Sequence, residues 1–236
     1  MTDHPTTPSA PSERSRVRRA PHKARYDRET IHAILDAQPL AHLGVVLHDG
    51  SPLVIPTLQW REGDHVYIHG SAASRALKAA LARPACLTVS LLDGWKLARS
   101  AFHHAANYRS VVIHGRMEKV AEEEKRQKLD NMINAYFPGR SAILRPMKDK
   151  ELKATLVLRM ALDEAAAKVD DLPVGDDEED LNLPIWAGIV PLSTVPGEPR
   201  PDAHLPPGVP MPEHVVPAYL RANRRKNNDD VSLREE

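Results

Sequence analysis

The stretch LAHLGVVLHDGSPLVIPTLQW, residues 40–60, decides the fold. Residues 40–47 are apolar and partly β-branched, His48-Asp49-Gly50-Ser51 supplies turn chemistry, and residues 53–60 run back as a second extended segment. A hairpin of this kind pairs its strands antiparallel. The same theme repeats outward along the chain. Glu62-Gly63-Asp64 is a second tight turn, into residues 65–69, where Val66 and Ile68 alternate with polar neighbours. Residues 86–92 read as a strand, Asp93-Gly94 as a further turn into 95–102, and 108–120 as a long strand. Residues 155–162 are strand-like, and 183–192 carry LPIWAGIVPL.

Three helices interrupt the strands. Asp27 caps one that runs to about Gln38, with Ile31, Ile34 and Leu35 on one face and Pro39 as its stop. The second covers residues 74–83, and the third covers 121–136 and ends near Pro138-Gly139. The pattern therefore predicts a mainly β protein with inserted helices: six or more antiparallel strands that close into a small barrel. There is no βαβ alternation, GxGxxG, Walker A sequence or internal repeat, which argues against a doubly wound nucleotide-binding fold.

Of the 236 residues, about 165 read as one globular domain, residues 25–192. Residues 1–24 are rich in Pro, Ser, Thr and Arg and have little apolar surface to bury, so they are expected to form a disordered basic arm. Residues 193–236 are expected to be a Pro-rich, then charged, tail in which only Val215, Val216, Tyr219 and Leu220 could anchor. Basic and acidic residues balance at 32 each. The basic arm lacks interleaved aromatic residues, so no nucleic-acid partner is expected. Cys86, the one cysteine, lies in the apolar run ACLTVSLL and reads as packing. No apolar run reaches the roughly 20 residues of a membrane span, and Met1 opens no signal-peptide pattern. The expected location is the cytoplasm.

HGSAASR, residues 69–75, marks the passage from strand to helix and bears on function. His69 and Gly70 end the strand, the glycine lets backbone approach a ligand, and Ser74 opens the helix. The first-turn N–H groups there are unpaired and the dipole favours an anion. Arg75 and Lys78 stand one turn apart and add two cations. The segment suits the phosphate of a mononucleotide; it also fits an ordinary capped surface helix.

The hairpin with DGSPLVIPT, the GS-x-x-SR turn, the segment LLDGWKLARSAFHHAANYRSVVIHGR and the later PIWAG together resemble the FMN-binding split barrels related to pyridoxamine 5′-phosphate oxidase, in particular the branch of the nitroimidazole-resistance proteins. The resemblance spans residues 25–192 and implies a six-stranded antiparallel split β-barrel that forms a homodimer, with FMN in grooves touched by both chains. It further implies that Val54, Ile55, Pro56 and Thr57 run beside the flavin ring. Ser74 and Arg75 would clamp its phosphate, with Lys78 close by. Asn107, Tyr108, Arg109 and Ser110 would open a flavin-contacting strand, with Arg109 toward phosphate and Ser110 toward the ring. Trp186 would stand near the partner chain's cofactor. The pyridoxamine oxidases proper carry Ser-Arg-Lys in succession, whereas Ala76 follows Arg75 here, and their Arg-x-x-x-Leu-Lys is replaced by LVIPT. The loss of these two basic contacts argues against vitamin B6 oxidation.

His103 and His104 are the candidate catalytic residues: an imidazole lining the pocket could bind substrate or deliver a proton near neutral pH. Neighbouring strand residues point to opposite faces, and no HExxH or CxxC spacing is present, so no metal site is expected. The expected activity is an FMN-dependent oxidoreductase acting on a small molecule such as a nitroaromatic, with NAD(P)H as a transient reductant. The alternative is a haem- or flavin-binding protein of the same superfamily without turnover, with His103 or His104 as a haem ligand.

Overall fold

The computed structural model describes residues 9–212 and 215–220. Among these residues ten strands and four α-helices follow in the order β1 (Ala24–Arg25), α1 (Arg28–Ala37), β2 (Leu40–Val46), β3 (Pro52–Glu62), β4 (His65–Ser71), α2 (Arg75–Ala82), β5 (Ala85–Leu97), β6 (Ala105–Gly115), β7 (Glu118–Lys119), α3 (Glu122–Tyr136), α4 (Asp149–Ala154), β8 (Thr155–Ala161), β9 (Ala165–Asp170) and β10 (Gly188–Pro191). Helix α1 forms where local chemistry demands it: the Asp27 carboxylate accepts the Thr30 N–H at 2.7 Å, and Ile31, Ile34 and Leu35 are buried.

The strands lie in the order β1-β9-β6-β5-β2-β3-β4-β8-β7, with β10 added to β5, and all pairings are antiparallel. The two ends of this series do not meet, so the architecture is the split barrel expected, with ten strands rather than six. β3 makes the split. Pro52–Leu58 pair with β2, and Gln59–Glu62 pair with β4. Leu43, Leu87, Val111, Ile113, Ile68, Leu158 and Met160 fill the interior, with Leu77 of α2 and Ile34 of α1 packed among them.

Four readings of the sequence need correction. Asp93-Gly94 is no turn: β5 continues through it, with a register irregularity between Leu92 and Gly94. The space beside Gly94 is taken by β10, since a Cβ there would lie 2.9 Å from the Val190 carbonyl oxygen. The long strand expected to Val120 ends at Gly115, and β7 is a separate two-residue piece. β9 was not anticipated. Residues 9–24 lie against the barrel, contrary to a wholly disordered arm. The Ser12 hydroxyl donates to Glu164, the Val17 N–H donates to the Tyr26 hydroxyl at 2.9 Å, and Ser15 is buried. Residues 1–8 lie outside those described.

The chain divides into two compact units. The first, Met1–Val120 with Lys153–Leu192, contains the barrel. The second comprises Ala121–Leu152 and Ser193–Glu236. Within it the buried Lys125 ammonium donates to the Leu152 carbonyl at 3.1 Å and pairs with Glu122 at 2.7 Å. Burial, and then the nearby Tyr219, push the Tyr136 hydroxyl well above its ordinary range, and Leu220 is buried. The charged run from Arg221 onward lies outside the described residues.

Candidate functional site

A cleft of about 590 Å³ opens between α2 and the β2–β3 hairpin. Arg75, Lys78, Ala79, Ala82 and Arg83 line it from the helix side, and Val46, Leu47, His48 and Asp49 from the hairpin side. The helix residues recur at the three- and four-residue spacing that puts them on one face. Arg83 ties the far end shut by donating to the Leu47 carbonyl at 3.0 Å. Ser74 is the N-cap: its Oγ accepts the Leu77 N–H at 3.4 Å and its carbonyl accepts the Lys78 N–H at 3.1 Å. The N–H groups of Arg75 and Ala76, in the first turn, have no acceptor within the helix. Arg75 and Lys78 are exposed, and neither makes an ion pair among the described residues. Asp49, which also lines the cleft, is exposed. Its Oδ1 accepts the Ser51 hydroxyl and N–H at 2.6 and 3.0 Å, and these bonds hold the carboxyl below its ordinary range despite slight desolvation.

Beside this cleft runs a free strand edge. The ladder between β2 and β3 is bracketed by the Leu47 N–H to the Ser51 carbonyl and the Gln59 N–H to the Pro39 carbonyl, both 2.8 Å. Antiparallel alternation then directs the backbone groups of Leu53, Ile55 and Thr57 toward β2 and those of Val54 and Leu58 away from it. Pro52 and Pro56 fall on the outward-facing register, where a missing N–H leaves the ladder intact. No strand covers this edge among the described residues. The side chains of Val54 and Pro56 are exposed, and those of Ile55 and Thr57 half-buried.

Other expected site residues lie elsewhere. The space a side chain would need at Gly70 is occupied by Leu77, 3.0 Å from the Cβ position, so this glycine admits α2 rather than a ligand. His69 is on the opposite strand face, near Trp60. Burial pushes its imidazole below the usual histidine range, and its Nδ1 is buried without a hydrogen-bond partner. Arg109, expected to meet phosphate, is held in a two-pronged pair by Asp93 at 2.8 and 2.7 Å, which keeps its guanidinium above its ordinary range. Tyr108 pairs across the sheet with Leu92, and Asn107 with Gly94; the Asn107 Oδ1 is buried and unpartnered. Ser110 lines a separate cleft of about 230 Å³ with Arg14, Arg16, Val112, His114 and Lys168. Trp186 is exposed and its ring lies over Gly188, where a Cβ would come within 2.8 Å of it; that contact accounts for the Trp-x-Gly pattern.

His103 and His104 sit on the loop between β5 and β6. His103 Nδ1 shares a hydrogen bond with the Ser100 hydroxyl at 2.8 Å, and His104 Nδ1 bonds the Ser100 carbonyl at 2.9 Å. Sequence spacing gave no sign of a grouping that the fold creates: ligand atoms of His103, Asp177 and Asp180 lie within 4.8 Å of one another. Arg99 fastens the two loops by donating its backbone N–H and its guanidinium to Asp176 at 2.8 and 2.7 Å.

The pyridoxamine 5′-phosphate oxidase family matches residues 27–169. Among solved structures, the flavocytochrome Anf3 of Azotobacter vinelandii is 48% identical, with 88% of this chain and 97% of that one covered at a TM-score of 0.85. A FAD- and haem-binding protein of Mycobacterium smegmatis is 38% identical over 82% and 95% of the two chains, with a TM-score of 0.79. A protein of Bacteroides thetaiotaomicron described in connection with 5-nitroimidazole resistance shares the fold at 23% identity, 62% and 86% coverage and a TM-score of 0.52. No curated protein matches the chain.

Proposed function

The chain belongs to the pyridoxamine 5′-phosphate oxidase family, and from that premise we propose that it is a flavin-binding redox protein acting as a homodimer. The observation that carries the reading is the pair of exposed cations, Arg75 and Lys78, in a 590 Å³ cleft beside an uncovered backbone edge. These groups suit a flavin. A phosphate takes the two helix N–H groups and the two cations, and the polar rim of the ring takes the Val54 and Leu58 edge of β3. FMN is the smallest flavin that satisfies these contacts, and the relatives named as a flavocytochrome and as a FAD- and haem-binding protein support a flavin. A bound flavin supplies hydride and single-electron transfer. The protein's part is to hold the phosphate through Arg75 and Lys78 and to fix the ring along β3. The apolar side chains Leu40, Val46, Val54 and Leu58, exposed on the outer face of β2 and β3, fit a second copy that excludes water from the ring. NAD(P)H is the proposed transient reductant and a small electrophile such as a nitroaromatic the proposed acceptor. With Ala76 where a lysine would stand, pyridoxamine phosphate is not a proposed substrate.

Absorbance near ~450 nm and release of a flavin on denaturation are expected of the purified chain. A colourless protein that takes up no added flavin overturns the reading. A second reading, haem alongside flavin, is favoured by the names of the two relatives and by the buried, unpartnered Nδ1 of His69, a better-placed imidazole than the exposed His104. A Soret band that disappears in His69→Ala supports it; its absence after haem addition removes it.

A further inference from the structure

The cleft of about 230 Å³ on the outer face of β6 and β9 carries charge of one sign. Ser110, Val112 and His114 share that face of β6 by strand alternation, with Lys168 and Ala166 opposite the first two on β9, while Val111 and Ile113 point into the core. Arg14 and Arg16, from the segment before β1, complete the lining. That segment is fixed on both sides of them: the Ser12 hydroxyl donates to Glu164, and the Val17 N–H donates to the Tyr26 hydroxyl at 2.9 Å. Between the two anchors the buried Ser15 hydroxyl donates to the Ser12 carbonyl at 3.2 Å. Among the described residues no carboxylate lines the cleft. Glu164, just before β9, is taken by Ser12 and lies 3.6 Å from Arg14, and Asp170, at the end of β9, is taken by Lys23 and Lys96. Arg16 meets Glu13 at 2.8 Å, but both side chains are more than half exposed, and such pairs hold little energy. The Lys168 ammonium and the His114 imidazole have no partner among the described residues. Three cations round one cavity repel one another, and an anion seated among them would reverse the sign of that interaction.

We propose that this cleft binds a small oxyanion of the phosphate class, which fastens the segment before β1 to the barrel. Lys168 takes its oxygens as a point charge, and Arg14 and Arg16 as forked N–H donors that match a tetrahedral oxyanion. His114 adds a ring N–H, which an imidazole keeps even when neutral. The Ser110 hydroxyl, engaged only at 3.5 Å by the Lys168 carbonyl, is a further donor. Volume sets the size of the ligand. At about 230 Å³ the cleft falls below the roughly 300 Å³ at which pockets begin to enclose drug-sized molecules, so a nucleotide or a flavin is too large. The phosphate group can be the free ion or belong to a short ester, whose carbon chain would lie on Val112 and Ala166. The site shares no residue with the α2 cleft, and the inference does not rest on the flavin reading.

The experiment titrates the purified full chain calorimetrically with inorganic phosphate and with glycerol 3-phosphate, against sodium chloride of equal ionic strength. Saturable binding of one anion per chain is expected. Lys168→Met, which keeps the apolar stem and removes the charge, should weaken it about tenfold or more, the worth of one hydrogen bond to a charged group. Arg14→Gln should weaken it by a smaller factor. Tighter binding of the ester identifies an ester as the source, and equal or weaker binding identifies the free ion. Phosphate should also slow tryptic cleavage after Arg14 and Arg16 severalfold in wild type and leave it unchanged in Lys168→Met, a readout that a merely structural lysine would not move. No heat beyond the chloride control overturns the inference, as does wild-type affinity in Lys168→Met. Displacement of bound phosphate by FMN would assign the anion to the flavin cleft, also against the inference.

Discussion

The two ends of the barrel treat charge in opposite ways. At the β5–β9 end Lys96 and Asp170 are both buried, bonded at 2.6 Å, and Lys23 adds a second ammonium to the same carboxylate at 2.5 Å. Each charge there has a partner, and the cluster ties the segment before β1 to the sheet. At the α2 end Arg75 and Lys78 stand exposed over a cleft with no carboxylate bonded to them. The contrast separates charges that hold the fold from charges left without an ion-pair partner among the described residues, where the proposed phosphate would sit. Arg109 shows how readily the two are confused. Next to Tyr108 in sequence it looks like a phosphate ligand, yet the fold sets Asp93 against it.

Removing the anion from the closed end should have the largest effect. Asp170→Ala leaves a buried Lys96 ammonium without its partner and should cost about 3–5 kcal/mol in chemical denaturation, with flavin affinity of the surviving folded fraction intact. A loss under ~1 kcal/mol would mean that water reaches Lys96 and that the two ends differ less than described. The pH dependence sharpens the same point. Burial alone would raise the Asp170 carboxyl, but the bonds from Lys23 and Lys96 outweigh it and hold it below 3.8. Its stabilisation is therefore complete above that ordinary value and lost as pH falls through the lower folded value. The denaturation midpoint should drop at acid pH in wild type and drop less in Asp170→Asn.

At the open end Arg75→Ala should weaken flavin binding by about 1–3 kcal/mol in a fluorescence titration and leave the unfolding midpoint unchanged. Arg109→Ala should do the reverse, with flavin affinity unchanged and stability lower by about 1 kcal/mol, a modest figure because the pair with Asp93 is partly exposed. If Arg109→Ala abolished binding while Arg75→Ala did not, the assignment of the two ends would be inverted. The smallest expected effect on stability is at His69. Its imidazole is held below 6.5 by burial, so the unfolded chain takes up the proton first and stability declines as pH falls below that value. His69→Phe should flatten this decline by a few tenths of a kcal/mol per pH unit, seen as a shallower midpoint-against-pH curve.

What the sequence disclosed was local chemistry. Asp27 and Ser74 announce their helices because a cap is read within three residues. The β2–β3 hairpin is legible because turn and alternation lie together in the chain. β9 was hidden because Ala165, Ala166 and Ala167 have no strand preference of their own; pairing with β6 holds them extended, Ala167 also pairs with β1, and all three are buried. Asp93-Gly94 has the composition of a turn, and pairing with β6 on one side and β10 on the other keeps it extended. In the candidate site Arg75 and Lys78 were legible from helical spacing. Asp49 was not, since its relation to Arg75 depends on how the hairpin meets α2. The packing of residues 9–24 rests on Glu164 and Asp170, more than a hundred residues away.

The exchange of partners along β3 carries a consequence for how the site tolerates change. Its outward edge arises from connectivity, because Pro52–Leu58 belong to one pairing and Gln59–Glu62 to another. The backbone groups offered at residues 54 and 58 therefore survive exchange of one apolar side chain for another there, so long as the odd–even phase is kept. Insertion of a single residue between Ser51 and Val54 would shift that phase, point a proline into the ladder, and present the wrong carbonyls along the whole rim at once.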